Sequence, residues 1–139
     1  MGFTLDVACI AARPGTDLDD SVPDVFGVTE RTLGFEDATS STRSPELCAA
    51  RIKDWYVVLD PGCRLCESAD YPIEASAHGD AYLFHVGDAP HEKHYRNGKP
   101  QKLHAIDGDE RAAWAAMTKH TGLTFDDLFA ATYTVFEVD

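Results

Sequence analysis

Trp55-Tyr56-Val57-Val58-Leu59-Asp60 is aromatic, β-branched or apolar until its last residue, and Pro61-Gly62 closes it. A near-continuous apolar run of this length reads as a strand with both faces covered, so it belongs at the centre of a sheet. Other segments offer it partners. Phe3, Leu5, Val7, Cys9 and Ala11 alternate with Thr4, Asp6, Ala8, Ile10 and Ala12, which predicts a first strand ended by Arg13-Pro14-Gly15. Ala81–Val86 is a second strong strand, Thr132–Val138 alternates as a last one, and Thr29–Glu36 has weaker strand character.

Glu92–Arg96, Asn97-Gly98 and Lys99–Ile106 predict a hairpin, because Asn-Gly suits the positive φ values of a type I′ turn. Pro100 cannot donate to a ladder, which places its strand at a sheet edge. Helices are expected in three places. Asp109–His120 is Ala-rich with Trp114 and Met117 and ends before Gly122, where a C-cap is wanted. Thr124 and Asp127 are spaced as a capping box, with Leu123 and Leu128 as its hydrophobic staple, starting a short helix over Phe125–Ala130. Ser44-Pro45-Glu46 reads as a third helix start. A helical turn is expected at Val25–Val28, and a loop with a short helix over Glu67–His78. The order is not a strict βαβ alternation. It predicts one α+β domain over residues 1–139, with a largely antiparallel sheet of about five to six strands and one main helix, Asp109–His120, on one face.

The chain carries a net charge of −12, and the charge is unevenly placed. From His91 to His104, Lys93, Arg96, Lys99 and Lys102 oppose only Glu92, a local +3, which leaves −15 on the other 125 residues. Such a body repels nucleic acid and anionic membrane surfaces and favours cationic partners. The basic hairpin itself has two readings, an anion site or a guarded edge, and Lys with Pro on an edge strand favours the second. Met1–Ala12 has no basic leader before Val7–Ala12, so no secretory signal is expected, and no stretch approaches the length of a membrane span. Cys9, Cys48, Cys63 and Cys66 are then expected as reduced thiols in a cytoplasm.

Four groupings bear on chemistry. Cys63, Cys66, His91 and His94 have the residue types of a zinc shell, although His91 and His94 three apart on one strand would point to opposite faces. The same Cys-x-x-Cys has the spacing of a redox dithiol, but it follows Pro61-Gly62 instead of opening a helix. A nucleophilic Cys63 would need a base such as His85 and an orienting acid such as Asp88. Asp17, Asp19, Asp20 and Asp24 lack the Gly and Glu positions of a calcium-binding loop and read as a solvated acidic surface suited to a basic protein.

Two segments carry a resemblance. Trp55-Tyr56-Val57-Val58-Leu59 with His94-Tyr95-Arg96-Asn97-Gly98-Lys99 resembles the layout of small bacterial immunity-type domains. Thr121–Phe129 followed by Thr132–Val138 is similar to the ending of an actinobacterial family of unknown function. Together they span about the last 85 residues, and they imply a small cytoplasmic partner-binding domain. The expectation is a non-enzymatic acidic protein, an immunity or inhibitor protein that neutralises a basic toxin or effector. Its contacts would come from Asp17, Asp19, Asp20, Asp24, Glu36 and Asp37, with no cofactor required. The alternatives are a zinc-stabilised domain or small metal- or thiol-dependent enzyme centred on Cys63, Cys66, His91 and His94, and a small-ligand binding module.

Overall fold

The computed structural model describes residues 4–40, 42, 45–87, 89–102 and 106–138. Phe3, Ser44, Asp88 and residues 103–105, on which parts of the expectations fall, lie outside the described residues. The strands are β1 (Leu5–Ala11), β2 (Phe26–Gly34), β3 (Leu47–Ile52), β4 (Trp55–Asp60), β5 (Asp80–Val86), β6 (His91–Arg96), β7 (Lys99–Pro100) and β8 (Thr132–Val138). They form one sheet in the order β2-β8-β3-β4-β1-β5-β6-β7, with every pairing antiparallel. The fold is α+β, as the sequence predicts, but among the described residues the sheet has eight strands instead of five or six.

β4 lies between β3 and β1, the central place its apolar run predicts, and residues 56–60 are buried throughout. Alternation then divides the sheet's side chains between two cores. Leu5, Val7, Cys9, Val57 and Leu59 face a core closed by α1 (Phe35–Ala38), α3 (Glu110–Thr121) and α4 (Phe125–Ala130) through Phe35, Ala113, Met117 and Leu128. Ala8, Ile10, Tyr56 and Val58 face a second core, closed by Val22, Leu65, Cys66 and Tyr71. These come from the 3-10 turn Leu18–Ser21, the loop after β4 and α2 (Tyr71–Ala75). The main helix is therefore where the sequence puts it, and shorter pieces cover the face it leaves open.

Two local expectations fail. Pro45-Glu46 leads into β3 and not into a helix. Leu47-Cys48-Ala49-Ala50 is fully buried between β4 and β8, and pairing on both sides outweighs a weak helix-start signal. The helical turn expected at Val25–Val28 forms instead at Leu18–Ser21. There the Asp17 carboxylate accepts the Asp19 N–H at 3.1 Å, and Asp20 reaches back to the Asp17 N–H at 2.8 Å. The hairpin turn is as expected, with φ of 50° at Asn97 and 80° at Gly98. β7 is short and forms the sheet edge that Pro100 predicts.

α3 shows how the sequence sets an element's ends. Asp109 accepts the Arg111 N–H at 3.0 Å, and Gly122 closes the helix at φ 78° with its N–H on the Thr118 carbonyl. Trp55 Nε1 donates to the Thr121 carbonyl at 3.0 Å, which ties the helix end to the start of β4. A Cβ at residue 122 meets nothing within 4 Å, so only the backbone opposes a side chain there. Gly122→Ala is expected to cost about 1 kcal/mol. Met117→Ala, which empties a fully buried position, is expected to cost about 2–5 kcal/mol. Denaturant midpoints check both, and equal losses would contradict this division between backbone and packing.

Candidate functional site

The six expected acidic contacts fall into two groups, placed by elements on opposite faces of the sheet. Asp17, Asp19 and Asp20 surround the 3-10 turn, and Asp24 lies in the loop that leads to β2. Glu36 and Asp37 lie on α1, whose Phe35 packs against Phe125 and Phe129. In the first group, Asp17 and Asp20 are engaged by the turn's own backbone. Asp20 and Asp24 also line a cleft of about 350 Å³ between the 3-10 turn and α2, together with Glu74, Tyr56, Tyr71 and His78. The two tyrosines are held rigidly: Tyr56 donates to the Thr16 carbonyl at 2.8 Å, and Tyr71 to the Ser21 carbonyl at 2.5 Å. Among the described residues no lysine or arginine lines the cleft itself, although the Arg13 guanidinium lies against Gly79 at its rim.

The expected zinc quartet is not brought together. Alternation along β6 separates its histidines. His94 Nε2 lies 2.9 Å from Asp80 Oδ1, and its ring stacks on Tyr82, whose side chain belongs to the helix-covered face. His91 pairs with His85 across β5 and β6, and their rings stack at 5.0 Å on the opposite face. Two of the basic hairpin's four cations are engaged within the fold: Arg96 Nε donates to Asp80 at 2.7 Å, and the Lys93 ammonium donates to the Cys66 carbonyl. Partial burial works to raise the Asp80 carboxyl, but hydrogen bonds from His94 and Arg96 outweigh it, and the net direction is downward.

What the fold does assemble is a row. Asp60 is opposite Asp6, Asp6 is opposite His85, and His85 is opposite His91, across β4, β1, β5 and β6. Directly opposed residues share a face, so four ionisable side chains cross one end of the sheet. Both carboxylates are completely buried. Asp60 accepts the N–H groups of Gly62, Arg64 and Leu65 at 3.0, 2.6 and 3.1 Å, and the Arg64 guanidinium at 2.9 Å. Asp6 accepts the Cys66 N–H at 2.9 Å through one oxygen and meets His85 Nδ1 at 2.8 Å through the other. The Cys63–Cys66 loop is thereby pinned over the row, with Cys63 beside Asp6 and His85. Asp6 and Asp60 were absent from the sequence-derived candidates. The available signal was an aspartate set in an otherwise apolar strand, in both β1 and β4.

This setting does not prime the thiols for attack. Burial, with the Asp6 and Asp60 carboxylates, pushes Cys63 up to about 11, and burial and Asp6 push Cys66 up as well. Cys63 and His85 meet as the sequence suggested for a nucleophile and base, with Asp6 in the orienting place. Two negative charges nearby nevertheless oppose the thiolate that such chemistry needs.

No family model, no curated protein and no solved structure matches the chain. No helix among the described residues is long and apolar enough to cross a membrane.

Because Cys63 titrates well above its ordinary value of about 8.5, its alkylation by iodoacetamide is expected to be slow at pH 7 and to accelerate only as pH approaches 11. Folding favours the protonated thiol, so this contribution to stability is complete below the unfolded value and fades as pH rises through the folded one. Asp6→Asn removes one raising charge and shifts the rate profile to lower pH. A Cys63 profile centred near 8.5 in the unaltered chain would contradict the described environment.

Proposed function

We propose that the protein is a non-enzymatic binding protein, an immunity or inhibitor protein that neutralises a basic toxin or effector by receiving a cationic side chain in the cleft between the 3-10 turn and α2. The observation that carries this reading is the cleft's composition. Three carboxylates, Asp20, Asp24 and Glu74, and two fixed tyrosines surround a cavity of about 350 Å³ whose described lining residues include no lysine or arginine, with Arg13 at its rim by Gly79. A guanidinium or ammonium group entering it meets carboxylates for charge-assisted hydrogen bonds and aromatic rings for cation–π contact. Charge on the rest of the body steers a basic partner towards it, because the 125 residues outside His91–His104 carry −15. Glu36 and Asp37, on the opposite face, add to this long-range field without touching the same partner group.

The test is association with the basic partner recovered from the source organism, followed by stopped flow at rising ionic strength. The association rate is expected to fall about tenfold or more between low and physiological salt. Asp24→Lys combined with Glu74→Lys is expected to weaken binding strongly, while Glu36→Lys with Asp37→Lys leaves dissociation unchanged. Binding that ignores salt, or that tolerates the charge reversal in the cleft, would rule the reading out.

A further inference from the structure

The buried row at the end of β1 and β5 holds one carboxylate that no described lysine or arginine neutralises. Asp60 is matched by the Arg64 guanidinium at 2.9 Å. Asp6, equally buried, accepts the Cys66 backbone N–H and meets the His85 ring and the Cys63 and Cys66 thiols, and among the described residues no lysine or arginine is bonded to it. A buried carboxylate costs several kcal/mol to desolvate unless a cation compensates it. Next to it is a second unusual feature: Cys63 adopts φ 53°, a left-handed conformation that a non-glycine residue takes at some cost, and this brings its side chain to Asp6 and His85. One donor atom each from Asp6, Cys63 and His85 lies within 4.8 Å of the other two.

We propose that Asp6, Cys63 and His85 bind a zinc ion, with water completing the shell on the half-exposed side. This is a different site from a Cys63, Cys66, His91 and His94 quartet, and it is independent of the cationic-partner reading. The donors are one sulfur, one nitrogen and one oxygen, a set that suits zinc and excludes calcium and magnesium, which take oxygen alone. Zinc–ligand bonds of about 2.0–2.3 Å place tetrahedral ligands about 3.3–3.8 Å apart. Asp6 and His85, whose donors are 2.8 Å apart, therefore need to open by about 0.5 Å, and Cys63, within 4.8 Å of both, to close by about 1.3 Å at most, within reach of a half-buried loop side chain. The ion takes the place of the hydrogen held between Asp6 Oδ1 and His85 Nδ1, and that proton moves to His85 Nε2, which leaves the ring neutral. The Cys63 thiol loses its proton to solvent, so the added 2+ charge meets two anionic ligands, the carboxylate and the thiolate. The surrounding bonds already orient the ligands: the Cys66 N–H fixes the second oxygen of Asp6, Lys93 anchors the Cys66 carbonyl, and His91 stacks on His85.

The experiment uses the full chain, reduced and stripped with a chelator, titrated with cobalt(II) and then with zinc in competition. The expected result is one equivalent of cobalt, a thiolate-to-cobalt charge-transfer band, and displacement of the band by one equivalent of zinc. Cys63→Ser is expected to abolish the band. It should also weaken zinc by at least the roughly 10–100-fold that loss of an outer-shell partner costs. His85→Gln weakens zinc comparably while the band remains, and Cys66→Ser leaves both stoichiometry and band in place. If His85→Gln does not fold, Cys63→Ser decides alone, since Cys63 is a half-buried loop residue. No saturable band in the unaltered chain, or a band that survives Cys63→Ser and vanishes in Cys66→Ser, would overturn the assignment.

Discussion

Asp60 ends the central strand with its carboxylate completely buried, and the cover of one whole face of the sheet depends on it. The apolar run of β4 stops there because the chain must turn, and a turn over a sheet exposes backbone N–H groups to a dry surface. One carboxylate accepts three of them, from Gly62, Arg64 and Leu65, and draws Arg64 in as its counter-ion. Leu65 and Cys66 are then delivered into the second core, beside Tyr71 and Val22. Without that acceptor the loop would leave the buried Leu65 N–H unpaired, at about 1–3 kcal/mol, and two half-buried donors with it. Val58 and Leu83 would lose cover with it.

The same loop sets the chemistry of the sheet's end. Antiparallel pairing puts Asp60, Asp6, His85 and His91 in one line, and the loop lowers Cys63 onto it. Burial and negative charge hold the thiols protonated, so nucleophilic or redox use of the Cys-x-x-Cys is opposed by its surroundings. A cation answers both features, the buried Asp6 that no described lysine or arginine neutralises and the suppressed thiolate. The acidic cleft lies at another part of the same face, where α2 meets the 3-10 turn. The two places share a sheet face and no lining residue.

Much of the fold was legible because several signals agreed locally. β4, β5 and β8, the Asn97-Gly98 turn, the Pro100 edge, both helices near the C-terminus and their caps follow from periodicity and turn chemistry. β3 was misread because Pro45-Glu46 carries a helix-start signal in the few residues before it. Its real determinant, burial between β4 and β8, involves residues 89 positions further on at the Leu47–Phe136 pair. The helical turn was displaced to Leu18–Ser21 because Asp17 and Asp20 there cap each other. Those same carboxylates, which the charge pattern offers to a partner, are in the fold partly committed to this turn.

The candidate site divides along the same line. The sequence by itself determined the residue types, the charge imbalance, the tight turn that carries Cys63 and Cys66, and the alternation that keeps His91 and His94 apart. Each is a property of neighbours along the chain. Only the tertiary structure decided that Asp6 joins Cys63 and His85, that Asp60 anchors the loop, and that Glu74 joins Asp20 and Asp24 around a cleft. The first two groupings depend on the register between strands far apart in sequence, and a one-residue slip would turn Asp6, Asp60 or His85 to the opposite face, while the cleft depends on how α2 and the 3-10 turn pack on the sheet.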